Sequence, residues 1–94
     1  MMPSIDSVFR FAPGNRLKWD ERRSVWVLLA PERMLELDDI AYAILSRLAG
    51  QSVGELAQQL AETYSAPLDD VRRDVLAFLL GLNQKGYLRH DQAA

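Results

Sequence analysis

Apolar and polar positions alternate with a period of two over the first part of the chain and with a period of about 3.6 afterwards, and the change falls at Asp38. Leu17 and Trp19 alternate with Arg16, Lys18 and Asp20, and a polar turn follows over residues 20–23. Over residues 24–29, Val25, Val27 and Leu29 oppose Trp26 and Leu28, so both faces are apolar, as suits a central strand. Pro31 is placed to bend the next turn, after which Leu35 and Leu37 alternate with Met34 and Glu36. These segments predict an antiparallel meander whose edges are its first and third strands.

Beyond Asp38 the pattern becomes helical. Ile40, Ala41, Ile44, Leu45 and Leu48 share one face, Asp38-Asp39 supplies the cap, and Gly50 is placed to end the helix. Ser52 and Glu55 have capping-box spacing, and Val53, Leu56, Ala57, Leu60, Ala61 and Tyr64 form the stripe of a second helix. Ser65-Ala66-Pro67 breaks that helix and starts a third, which runs to about Lys85 and is closed by Gly86. The architecture expected is α+β and winged-helix-like, a three-stranded antiparallel meander followed by three helices, spanning residues 16–89. Residues 1–15 hold Pro3, Pro13, Gly14 and Asn15 without a sustained period; Val8-Phe9-Arg10-Phe11 could pair as a short strand, but the favoured expectation is a flexible arm that docks through Phe9 and Phe11. Tyr87-Leu88-Arg89 reads as a short strand or a packed end, with 90–94 as a tail.

The third helix is apolar over too wide an arc. Val71, Val75, Phe78 and Leu82 make a docking face with Leu68 and Leu79 beside it, while Leu76 and Leu80, with Arg72, occupy a shoulder beyond, so the arc spans roughly 200°. Either the shoulder packs on the sheet or the arm, or it walls an apolar groove whose other side is the strand Met34 to Leu37. A groove between a strand edge and a helix receives extended peptides as an added strand. The candidate peptide-binding residues are therefore Arg33, Met34, Leu35, Glu36, Leu37, Arg72, Leu76 and Leu80, with Arg72 and Arg33 available to acidic side chains of the guest.

Composition narrows the functions. Ninety-four residues make one domain, and a net charge of −2 argues against a general nucleic-acid binder. The chain has no cysteine, hence no thiolate metal site or cysteine nucleophile. His90, the single histidine, has no partner at ligand spacing and is expected to be solvated; no metal or cofactor is expected. Asp38-Asp39 and Asp69-Asp70 stand at helix starts, where carboxylates serve amide groups and the helix dipole. With no membrane span and no signal-peptide pattern, the cytoplasm is the default. Nothing forms a catalytic set, so a binding module is expected and not an enzyme. Two rivals are a DNA-binding winged helix, disfavoured by Asp69, Asp70 and Asp74 beside Arg72 and Arg73, and a structural dimerisation domain. An unfilled strand edge and an apolar arm further predict a weak homodimer.

Arg-Leu-Lys-Trp-Asp-Glu (16–21), Leu-Leu-Ala-Pro-Glu-Arg (28–33), Leu-Glu-Leu-Asp (35–38), Ala-Tyr-Ala-Ile-Leu (41–45), Gly50, Val53 with Glu55-Leu56-Ala57, and Asp74-Val75 with Phe78-Leu79 together resemble the pyrroloquinoline quinone biosynthesis protein D (PqqD) family. The resemblance covers residues 9 to 89 and implies a winged-helix-type fold. It implies a peptide chaperone without catalysis, which binds a ribosomal precursor peptide (the A component, PqqA-like). That peptide would be presented to a radical S-adenosylmethionine (SAM) enzyme (the E component, PqqE-like). The same domain recurs as a leader-peptide recognition element of other modified-peptide pathways.

Overall fold

The computed structural model describes residues 2–92. Eight elements follow one another: β1 (Ser7–Phe11), β2 (Arg16–Asp20), β3 (Val25–Leu29), β4 (Met34–Glu36), α1 (Asp39–Leu45), α2 (Val53–Tyr64), α3 (Leu68–Gln84) and β5 (Leu88–Gln92). β2, β3 and β4 form the expected antiparallel meander, with Leu17 opposite Leu28 and Leu28 opposite Leu35. Leu17, Leu28 and Leu35 therefore share the face that meets the helices, where Leu28 is fully buried. Trp26 extends that face by stacking on Tyr42 of α1, ring centroids 4.6 Å apart. The α+β architecture of a three-stranded meander followed by three helices is the observed one.

Local chemistry sets the helix ends. Asp38 Oδ1 accepts from Ala41 N at 2.7 Å, and Ser52 and Glu55 exchange both bonds of the capping box. Ser65 closes α2 in the left-handed conformation (φ 52°), and Gly86 (φ 85°) does the same beyond α3. α1 ends at Leu45, short of Gly50, because the backbone tightens there: Arg47 N and Leu48 N donate to Ile44 O and Leu45 O, three residues back. Ile40, expected on its buried face, is 73% exposed.

The ends of the chain depart most from expectation. The flexible arm expected over 1–15 instead contributes β1, which pairs antiparallel with β5, Phe9 opposite His90 and Phe11 opposite Leu88. Alternation explains the gain: Ser7 and Phe9 point inward and are buried, whereas Arg10 faces solvent and pairs with Asp91. The tail expected over 90–94 lies in β5 as far as Gln92, and 93–94 fall outside the described residues. His90, expected to be solvated, is half-buried; its ring centroid lies 5.6 Å from that of Phe9, and Nδ1 is buried without a hydrogen-bond partner.

Candidate functional site: an open strand edge beside the third helix

β4 is an edge strand, and its hydrogen-bonding phase can be fixed from its two ends. Ala30 N donates to Arg33 O before it, and Leu37 N donates to Trp26 O after it, both at 2.9 Å. Alternation along an antiparallel ladder then turns the N–H and C=O of Leu35 toward Leu28, and those of Met34 and Glu36 away from the sheet. Two donors and two acceptors thus face outward along this edge.

Beneath the edge lies a groove of about 370 Å³ between β4 and α3. Leu35, Leu37 and Ala41 line it on the sheet and α1 side, and Ala77, Phe78, Gly81 and Leu82 on the α3 side. Phe78 is half-buried, and a Cβ added at Gly81 would meet nothing within 4 Å, so this flank of α3 leaves open space. Arg33 fixes one end of the groove. Its Nη2 donates to Lys85 O at the C-terminus of α3, and its guanidinium lies 4.1 Å from the Tyr87 ring centroid. The start of β4 therefore lies against the C-terminal end of α3, where Lys85 joins the lining, and Asp38 lies at the opposite end.

The expected site residues divide. Leu35, Glu36 and Leu37 line the groove, and Arg33 braces its end. Met34 presents its backbone to the edge, while its side chain lies on the far face of the sheet, with Arg23 Nη1 3.8 Å from its Sδ. Arg72, Leu76 and Leu80 do not line the groove. The phase of α3 is the reason: Val75, Leu79 and Leu82 are its buried residues, so the docking face is rotated toward Leu79 and away from Phe78. Leu76 and Leu80 fall on the opposite flank, together with Asn83, whose Nδ2 donates to Leu88 O at the start of β5. Arg72 shares that flank; Nη1 reaches Asp69 at 3.5 Å and Nε is buried without a partner. Ala77, Phe78, Gly81 and Lys85 are the wall that sequence reasoning missed. Small residues four apart, Ala77 and Gly81, on an otherwise leucine-rich helix were the available signal, since they permit close approach of another chain.

The position a recognition helix would take in DNA binding is occupied by α3, and its arginines are engaged within the helix. Arg73 bonds Asp70 at 2.9 Å and Arg72 pairs with Asp69. No helix among the described residues is long and apolar enough to cross a membrane. No group of three or more His, Cys, Asp or Glu among them could hold a metal ion.

A meander with one edge left open above an apolar groove, backed by three helices, defines a winged-helix-type α+β domain. The chain belongs to the PqqD family, since the family model for Coenzyme PQQ synthesis protein D (PqqD) matches residues 25–88. It is 49% identical over 74 residues to the PqqA binding protein of Bradyrhizobium diazoefficiens, covering 78% of this chain and 72% of that one. In solution, the PqqD truncation of Methylobacterium extorquens PqqCD is a stand-alone recognition element for ribosomally synthesized and post-translationally modified peptides. Its structure matches with a TM-score of 0.80 at 43% identity, over 94% of this chain and 95% of that one. The lasso peptide synthetase B1 complexed with its leader peptide matches with a TM-score of 0.73 at 28% identity, over 86% and 96%.

Proposed function

We propose that this protein is a non-catalytic peptide chaperone of pyrroloquinoline quinone biosynthesis, which takes a PqqA-like precursor peptide as an added strand along β4. One observation carries the reading: Met34 and Glu36 turn their main-chain groups outward directly above an apolar groove. An extended guest satisfies those groups with its own backbone while alternate side chains enter between Leu35, Leu37 and Phe78. The names of the relatives, PqqA binding protein and peptide recognition element, agree with it. The guest would then be presented to a radical SAM enzyme. A weak homodimer would form by pairing of open strand edges, since the arm is held by β5, and peptide would compete with it.

The test is titration of the isotope-labelled protein with a synthetic PqqA peptide of Bradyrhizobium diazoefficiens. Amide shifts are expected in residues 33–38 and 77–85. Shifts confined to β1, β5 or α2 would reject strand addition at β4. A second reading, leader recognition in another modified-peptide pathway, draws on the likeness to the lasso peptide synthetase complex. Tighter binding of an unrelated leader peptide than of PqqA would favour it.

A further inference from the structure

A second concavity of about 270 Å³ lies among α1, α2 and α3, framed by Ile40, Leu60, Tyr64 and Val71. Its apolar rim is uncovered, with Ile40 73% and Tyr64 60% exposed. Asp39 and Asp74 complete the frame, and no basic residue lines it. This volume lies below the usual range of small-molecule sites, about 300–1,000 Å³, and suits one large side chain.

Its place along α3 ties it to the groove. Val71, Asp74, Phe78, Gly81 and Lys85 recur at three- and four-residue spacing, so they occupy one flank of the helix. That flank is bordered first by α1 and then by β4, and Asp38 of the groove is followed directly by Asp39 of the pocket. The two concavities thus follow one another along the same flank of α3. Charge along this flank is polarised, with Glu36, Asp38, Asp39 and Asp74 toward the α1 end and Arg33 and Lys85 at the other.

We infer that the guest peptide is held at two points, and that the pocket among the helices takes an apolar side chain flanked by a basic residue. The inference rests on strand addition at β4. Antiparallel pairing, the commoner arrangement, brings the guest N-terminus to the Asp38 end. The centres of the two concavities are about eight residues apart along α3, roughly 12 Å, which an extended chain covers in about four residues. The anchor therefore precedes the strand-forming segment by about four residues, and acidic guest residues belong toward Arg33 and Lys85.

Fluorescence anisotropy of the B. diazoefficiens PqqA peptide, labelled at its C-terminus, tests this with the full-length protein. Ile40→Ser changes an exposed residue and spares the fold. It should weaken binding about fivefold, and Glu36→Pro, which deletes an outward N–H, about tenfold. Nested N-terminal truncations of the peptide should reach a length at which binding drops by the Ile40→Ser factor; past it, Ile40→Ser should have no further effect. A response to Glu36→Pro alone leaves strand addition standing and overturns the second anchor. A response to Ile40→Ser alone overturns the two-point hold, because the peptide would then bypass β4. Indifference to both variants rejects strand addition and the anchor together. Dimer loss in Ile40→Ser at unchanged peptide affinity would assign the pocket to a second copy, and likewise overturns the inference.

Discussion

α3 is bordered by β5 on one flank and by β4 on the other, and only the β5 side is closed by the chain itself. On that side Asn83 bonds the backbone of Leu88, and Leu76 packs against the core to which Phe9 and Leu88 belong. On the β4 side the small Ala77 and Gly81 leave the space between the walls unfilled, and Phe78 remains half-buried over a groove. Both flanks are apolar, so hydrophobicity alone does not distinguish a sealed face from a receptive one. What distinguishes them is side-chain size and the presence of a strand in reach.

The largest expected effect lies on the sealed side. Phe9 is 1% exposed and holds β1 against the core, so Phe9→Ala should cost about 3–5 kcal/mol in urea unfolding. Removing residues 1–12 would delete the same anchor and should destabilise the domain, whereas a free arm would leave stability unchanged. A full deletion without loss of stability would show that the ribbon is dispensable and the comparison of flanks misplaced.

Paired carboxylates then separate the flanks directly. Leu76→Asp would place an unpaired charge against the core and should cost about 2–3 kcal/mol. Ala77→Asp, one residue on, points an exposed position toward the groove; its stability should change by less than about 0.5 kcal/mol. PqqA affinity should fall in Ala77→Asp. Equal melting losses for the two variants would mean that α3 has no open flank.

How much of this the sequence revealed follows from how local each signal is. The meander, the Asp38 cap and the Ser52–Glu55 box depend on neighbouring residues, and all were legible. The β1–β5 ribbon joins Phe9 to His90 across nearly the whole chain, and a five-residue alternation does not announce its partner. The phase of α3 was hidden because leucine or phenylalanine stands at 76, 78, 79, 80 and 82, so several rotations of the helix bury a similar apolar area. The edge strand half of the groove was readable from Leu35 and Leu37. The helix half was not, because it is built partly from Ala77 and Gly81, which carry almost no hydrophobic signal.

Arg33 offers a smaller effect that sharpens the same contrast. Its guanidinium spans Lys85 O and the Tyr87 ring, and so sets the separation of β4 from the end of α3. Arg33→Gln should lower stability by about 1 kcal/mol and weaken PqqA binding several-fold, with Arg33→Lys recovering part of both through the ring contact. If binding fell while Lys85 and Tyr87 amide shifts stayed unchanged, Arg33 would be contacting the guest instead of bracing the groove.

At Gly81 a small gain in stability is expected, and its sign is the point. Glycine in a helix interior costs about 0.5–1 kcal/mol relative to alanine, through the greater freedom of the unfolded chain. Gly81 stands in the last turn of α3, its carbonyl still accepting from Lys85 N, and an added Cβ would meet no atom within 4 Å, so nothing in the fold demands a glycine there. Gly81→Ala should therefore stabilise the domain by that amount. On the sealed flank the corresponding space is already filled, and added volume would strain the core. Gly81→Leu should keep much of the helical gain, since leucine is a good helix former, yet its side chain enters the groove beneath Met34 and Glu36. Stability and peptide affinity should then move in opposite directions, read by thermal unfolding and PqqA anisotropy on the same samples. A Gly81→Leu variant that is more stable and binds PqqA as well as the parent would show that the guest does not lie against this flank of α3.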